Sequence, residues 1–97
     1  MDINELVRVW GRNRNITNPD KQTIKLMEEA GELAHEVCRG KYDSDELKDA
    51  IGDIQVVVII LADILGFKAE DCLKSAYEEI LGRTGVNNDG CFIKNGE

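Results

Sequence analysis

Asp49-Ala-Ile-Gly-Asp-Ile-Gln-Val-Val-Val-Ile-Ile-Leu-Ala-Asp-Ile-Leu65 is the stretch on which the fold turns. Its middle, Val56-Val57-Val58-Ile59-Ile60-Leu61, is rich in β-branched residues and in isolation reads as a buried strand. The run is continuous with Asp49 to Ile54 on one side and reaches Leu65 on the other, too long for a strand and better read as a buried helix. Its spacing agrees: Glu46, Asp49, Asp53, Val57, Ile60 and Ile64 recur at three- and four-residue steps and lie along one stripe. A helix half that is apolar all round needs cover on every side, which in a chain this short points to a subunit interface.

Working outward, this helix starts at Asp43 or Ser44, where Asp45 and Glu46 suit the positive end of the helix dipole, and stops near Gly66. Upstream, Asn18-Pro19 supplies a cap and a proline in the first turn of a helix that ends at Gly40. A short helix precedes it from about Asn4 to Arg12, weakened at its end by Gly11, Asn13 and Asn15. Downstream, Ala69 to Leu81 is expected to bury Cys72, Leu73, Ala76, Tyr77 and Ile80 and to end at Gly82. The remainder reads as loop with one extended piece, Cys91 to Lys94. The expectation is a single all-α domain over residues 1–97, a bundle of the second, third and fourth helices completed by oligomerisation as at least a dimer.

The chain has 97 residues, too few for a second domain. Its net charge of -7 argues against wrapping a nucleic-acid polymer, which requires clustered Lys and Arg. Three cysteines, Cys38, Cys72 and Cys91, lack any CxxC spacing, so a reduced, cytoplasmic compartment with small buried thiols is expected. No basic-then-apolar leader opens the sequence, and the run Val56 to Ala62 is too short to span a bilayer, so no membrane partner is expected.

The chemistry-bearing residues are acids. At about 100° per residue Glu29, Glu32 and Glu36 fall within about 60° of one another, beside the apolar arc of Leu26, Ala30, Leu33, Val37 and Cys38. Glu28 lies further round, towards solvent. Glu46, Asp49 and Asp53 are grouped equally tightly and head the stripe that ends as core. Like charges driven towards an apolar interior are costly unless a cation sits among them, and hard divalent ions with oxygen ligands answer that requirement. The competing reading is a solvated acidic helix face.

Lys25-Leu-Met-Glu-Glu-Ala-Gly-Glu-Leu-Ala34, Glu46-Leu-Lys-Asp-Ala-Ile-Gly-Asp-Ile54, Ile80-Leu-Gly-Arg-Thr-Gly85 and Gly90-Cys-Phe-Ile-Lys94 together resemble the MazG-like group of all-α nucleoside triphosphate pyrophosphohydrolases. The resemblance spans most of the chain. The family pattern is Glu-Glu-x-x-Glu, a spacer, then Glu-x-x-Asp. The second half departs from it: aligning Gly52-Asp53 on the family's Gly-Asp puts Ala50 where a Glu is expected, whereas taking Glu46-x-x-Asp49 as the motif leaves Asp53 as an extra acid one turn on. Asp49 and Asp53 point the same way and are preferred, with Glu46 in support.

The resemblance implies Mg²⁺-dependent hydrolysis of a nucleoside triphosphate to the monophosphate and pyrophosphate, with Mn²⁺ as a possible substitute. The expected metal ligands are Glu29, Glu32, Asp49 and Asp53, with Glu36 and Glu46 as further acids, and Glu28 would orient or deprotonate the attacking water. Lys25 is either a helix ion pair with Glu29 or a phosphate contact. Arg83 and Lys94 flank a Gly-rich loop where the resemblance suggests substrate contacts, the alternative for Arg83 being a plain helix terminus. Arg12 and Arg14 follow the first helix, with solvated loop as the alternative to substrate contact. Trp10 either stacks on the base or belongs to the core. Phosphoribosyl-ATP and dUTP remain open as substrates.

Two rivals belong to other classes. Glu32-Leu33-Ala34-His35 has the Glu-x-x-His spacing of di-iron helix bundles, although His35 falls about 60° from Glu32 on the side away from Glu29. A helical interaction module would use the same acids for solubility alone.

Overall fold

The computed structural model describes residues 1–95. Four helices and a hairpin follow in order: α1 (Ile3–Asn13), α2 (Pro19–Cys38), α3 (Asp45–Ile64), α4 (Ala69–Leu81), β1 (Gly85–Asn88) and β2 (Cys91–Lys94). Side chains that can accept from an otherwise unpaired helical N–H start three of the helices. Asp2 accepts from Glu5 N at 2.9 Å, Asn18 from Lys21 N at 3.1 Å, and Ser44 from Leu47 N at 3.2 Å. Gly40 and Gly66, both at positive φ, turn the chain after α2 and α3, a conformation that costs any residue with a Cβ.

α2 and α3 form the principal pair and α1 packs on α3. The core lies along α3, where Leu47, Ala50, Val57 and Ile60 are buried. α1 approaches closely because Gly11 has no side chain: a Cβ there would lie 3.1 Å from Ile60 Cγ1. Two Arg clamps complete the junction. Arg8, 3% exposed, is held by both oxygens of Glu70 at 2.7 and 3.1 Å and by Glu5 at 2.9 Å. Arg12 binds both oxygens of Asp63 at 2.9 and 2.6 Å.

The C-terminal third departs from the expected packing. The chain bends by 102° between α3 and α4, and none of the expected Cys72, Leu73, Ala76, Tyr77 or Ile80 is buried. The helical core is therefore α1, α2 and α3, with α4 leaning on α3 rather than closing a bundle. All three cysteines are free and exposed instead of buried. On α3 itself Val57 and Ile60 are buried, Val56, Ile59 and Leu61 are half-buried, and Val58 is exposed, so one flank of the apolar run lacks cover within the chain.

The tail contains two strands where one extended piece was expected. β1 and β2 pair antiparallel with Gly85 opposite Lys94 and Asn88 opposite Cys91. The turn uses Asp89 and Gly90, both at positive φ, the two-residue geometry that matches the twist of paired strands. No single helix among the described residues is long and apolar enough to cross a membrane.

Candidate functional site

A cavity of about 640 Å³ opens between α1, the α1–α2 connection, α2 and α3. Two facing stripes build it. On α2 the steps Gln22, Lys25 and Glu29 return to one side, and on α3 the steps Asp53, Val57 and Ile60 do the same. Gln22, buried, fixes their register at the apolar end by donating from Nε2 to the Val57 carbonyl at 3.3 Å. The polar end carries the two acids.

Glu29 is the unusual group. Although a carboxylate, it is only 7% exposed. Its Oε1 lies 3.3 Å from the Lys25 ammonium, while Oε2 is buried without a hydrogen-bond partner. A buried acceptor left unsatisfied carries its full desolvation cost, so this oxygen is ready for a cation or donor brought by a ligand. The hydrogen bond and charge of Glu29, helped by Glu28 and Glu32, raise the Lys25 pKa and keep the ammonium protonated beside the cavity. Asp53 borders the same cavity from α3 and is exposed, free of the desolvation that Glu29 bears.

Trp10 forms the α1 wall. Its ring carries the Arg14 guanidinium 4.1 Å from the ring centroid, and Arg14 Nη1 donates to the Trp10 carbonyl at 3.2 Å. Trp10 and Asp53 also border an adjoining cavity of about 460 Å³ lined by Leu6, Val7 and Val56. An aromatic face, an ammonium and two carboxylates thus surround one opening, with apolar side chains behind them.

The other expected residues lie elsewhere. Glu28, Glu32, Glu46 and Asp49 are exposed and do not line the cavity. Half-buried Glu36 pairs with Arg39 at 3.7 Å. Arg83 pairs with Glu79 at 3.6 Å on α4, and Lys94 is half-buried on β2. Arg12 is engaged with Asp63. His35 is exposed in the last turn of α2 and does not line the cavity.

The cavity also uses residues that the acidic pattern passed over. Asn15, at a φ of 57°, turns the chain out of α1, and it lines the opening with Ile16, Thr17 and Asn18. Lys21 and Gln22 belong to the stripe of Lys25 and Glu29, and extending that stripe towards the start of α2 would have found them.

Among the described residues no three His, Cys, Asp or Glu side chains converge to hold a metal ion unaided. Mg²⁺ does not require such a cage: it keeps several waters and takes one or two carboxylates together with substrate phosphate oxygens. The orphaned Glu29 oxygen, with Asp53 bordering the same cavity, fits that mode.

Comparison with known proteins places these elements in context. Residues 18–84 match the family described as the MazG nucleotide pyrophosphohydrolase domain. The chain is 45% identical over 67 residues to an uncharacterized 18.2 kDa protein in the rep-hol intergenic region of Haemophilus phage HP1 (strain HP1c1). That similarity covers 63% of this chain and 40% of the phage protein, so the chain spans well under half the length of that relative. No solved structure matches.

Proposed function

Since the chain belongs to the MazG nucleotide pyrophosphohydrolase domain family, we propose that it hydrolyses a nucleoside triphosphate, in the presence of Mg²⁺, to the monophosphate and pyrophosphate. The observation that carries this reading is the buried, unpartnered oxygen of Glu29 in a cavity shared with Lys25, Asp53 and Trp10. In the reaction, water attacks the α-phosphorus, the bond to the β-phosphate bridging oxygen breaks, and pyrophosphate leaves with that oxygen. The water oxygen ends on the monophosphate.

Each residue has a defined task in this scheme. Lys25, kept cationic by Glu29, contacts the phosphates. Trp10 stacks on the base with its open face while Arg14 holds the other. Val56, Val57 and Ile60 form an apolar wall that limits water around the ligand. Glu29 and Asp53, with Glu32 and Asp49 on the neighbouring turns and Glu36 and Glu46 as further acids, are the groups that would hold Mg²⁺. When bound, the ion neutralises the polyphosphate and lowers the pKa of water. Glu28, beside Glu29 on the solvent side of α2, orients or deprotonates the attacking water. Arg83 and Lys94 do not line this cavity, and their contact with the phosphates rests on the family resemblance alone.

The test is incubation with Mg²⁺ or Mn²⁺ and a panel of canonical and modified triphosphates, dUTP and phosphoribosyl-ATP included, with separate assays for pyrophosphate and orthophosphate. Pyrophosphate with monophosphate is the expected pair, and orthophosphate in its place refutes attack at the α-phosphorus. Glu32→Gln and Asp53→Asn are each expected to abolish turnover while leaving the helical circular dichroism spectrum unchanged. Near-normal rates in either variant overturn that residue's place in the ligand set.

A further inference from the structure

Gln22 stands on the cavity stripe of α2, one turn before Lys25 and two before Glu29. At 8% exposed it is nearly as buried as Glu29, and an amide shut away from water needs partners for both of its ends. One end has a partner. Nε2 donates to the Val57 carbonyl at 3.3 Å, and because a carbonyl only accepts, the NH₂ group must face α3 and the amide cannot be turned over.

The other end is open. Among the described residues nothing donates to Gln22 Oε1, yet the side-chain atom that is both fully enclosed and unpaired is Glu29 Oε2, not this one. Oε1 therefore keeps contact with open space, and the open space that Gln22 borders is the cavity. The Val57 and Ile60 side chains that line the cavity with it are apolar and have no donor to give.

Placement along α2 decides which part of a ligand arrives there. At the helical rise, Gln22 lies about 5 Å along the axis from Lys25 and about 10 Å from Glu29. The α2 side of the cavity ends at Glu29, so a nucleotide with its phosphates at Lys25 and a cation at Glu29 extends the other way, towards Gln22. What reaches Oε1 is then the nucleoside. Phosphate oxygens are poor occupants of that spot, since an ionised phosphate has no proton to offer an acceptor.

We propose that Gln22 is a specificity-determining residue: its Oε1 accepts a hydrogen bond from an N–H or O–H of the nucleoside, on the base or on the sugar, while the bond from Nε2 to Val57 holds the amide in its accepting orientation. This rests on the nucleotide reading above and adds a direction to it. The ligand must present a donor where Gln22 presents an acceptor, and a carbonyl or a bare ring nitrogen in that place leaves a largely buried oxygen unpaired.

Calorimetry tests this, with Ca²⁺ in place of Mg²⁺ so that binding is read apart from hydrolysis. The probes are ATP, GTP, CTP and UTP, the triphosphates of purine riboside and pyrimidin-2-one riboside, whose bases carry no N–H, and the 2′,3′-dideoxy nucleotides, which lack the sugar hydroxyls. Deleting the donor that meets Gln22 is expected to weaken binding to the native chain about 10-fold, in the base series or in the sugar series according to where the donor sits. Gln22→Met keeps the length of the side chain and removes the acceptor, so it should bind the full nucleotide and its donor-free analogue equally. If Gln22 serves only the register of α2 on α3, the variant weakens both ligands alike and their ratio persists, which overturns the proposal. A native chain indifferent to both deletions overturns it too, whether or not the variant folds. Nucleotides that bind under Ca²⁺ but are not cleaved under Mg²⁺ refute the reaction and leave this test standing, whereas binding of none of them refutes the nucleotide site and the role of Gln22 with it.

Discussion

Glu29 has one oxygen on Lys25 and one on nothing, and those two facts separate its effects on stability and on ligand binding. Glu29→Gln removes a buried charge, at the cost of its pairing with Lys25. In metal-free solution the variant is therefore expected to melt within a few degrees of the parent, and millimolar Mg²⁺, expected to raise the parent's melting temperature, should leave the variant's unchanged. Differential scanning calorimetry with and without Mg²⁺ reads both, and turnover should fall more than about 100-fold, beyond the usual cost of losing a supporting partner of a metal ligand. An undiminished Mg²⁺ shift would remove Glu29 from the ligand set. Periodicity placed Glu29 beside core and Asp53 at the head of an apolar stripe, and the structure brings both to one cavity. It could not rank Glu29 above Glu28 or Glu32, because burial of a single carboxylate depends on the exact rotation of α2 against α3. Nor did it reveal the Asn15 to Asn18 wall, whose residues are equally suited to a turn and a cap.

At the scale of elements, α1 is the part whose attachment depends most on charge and on one missing side chain. Arg8 with Glu70, and Arg12 with Asp63, tie it to the α3–α4 junction, while Glu5 of α1 itself holds the Arg8 guanidinium in place. Their hydrogen bonds to Arg12 and Arg8 pull the Asp63 and Glu70 carboxyls below their usual pKa values. A depressed folded pKa gives stability that is present above the unfolded value and is lost as pH falls through the folded one. Thermal stability should accordingly drop as pH falls below about 4, and Arg12→Gln should make that drop shallower while lowering the plateau at neutral pH. Melting curves from pH 7 downwards check this. Gly11→Leu should cost about 1–3 kcal/mol, because Ile60 is buried and cannot retreat from the new side chain, and denaturant titration measures it. The cap residues Asn18 and Ser44 made the helix starts readable. The hairpin was missed although Asp89-Gly90 is a strong turn signal, because Gly85-Val-Asn-Asn88 is polar and poor in β-formers.

For the whole molecule, folding and assembly would be one equilibrium if, as expected from the apolar run of α3, oligomerisation covers the exposed flank at Val58. The unfolding midpoint in denaturant should then rise with protein concentration, as it does not for a monomer, and titrations at concentrations a hundredfold apart would show it. The apolar character of α3 and the helical spacing of Leu73, Tyr77 and Ile80 were legible from sequence; that α4 swings away through 102° was not, since periodicity gives a face and never says which neighbour covers it. The chain holds a single indole, Trp10, and that indole borders the opening between the acids. Emission from the unlabelled protein, excited beyond the absorption of Tyr42 and Tyr77, therefore reports on one place only: a purine or pyrimidine ring settling against Trp10 should dim it, giving occupancy by titration before any bond is cut.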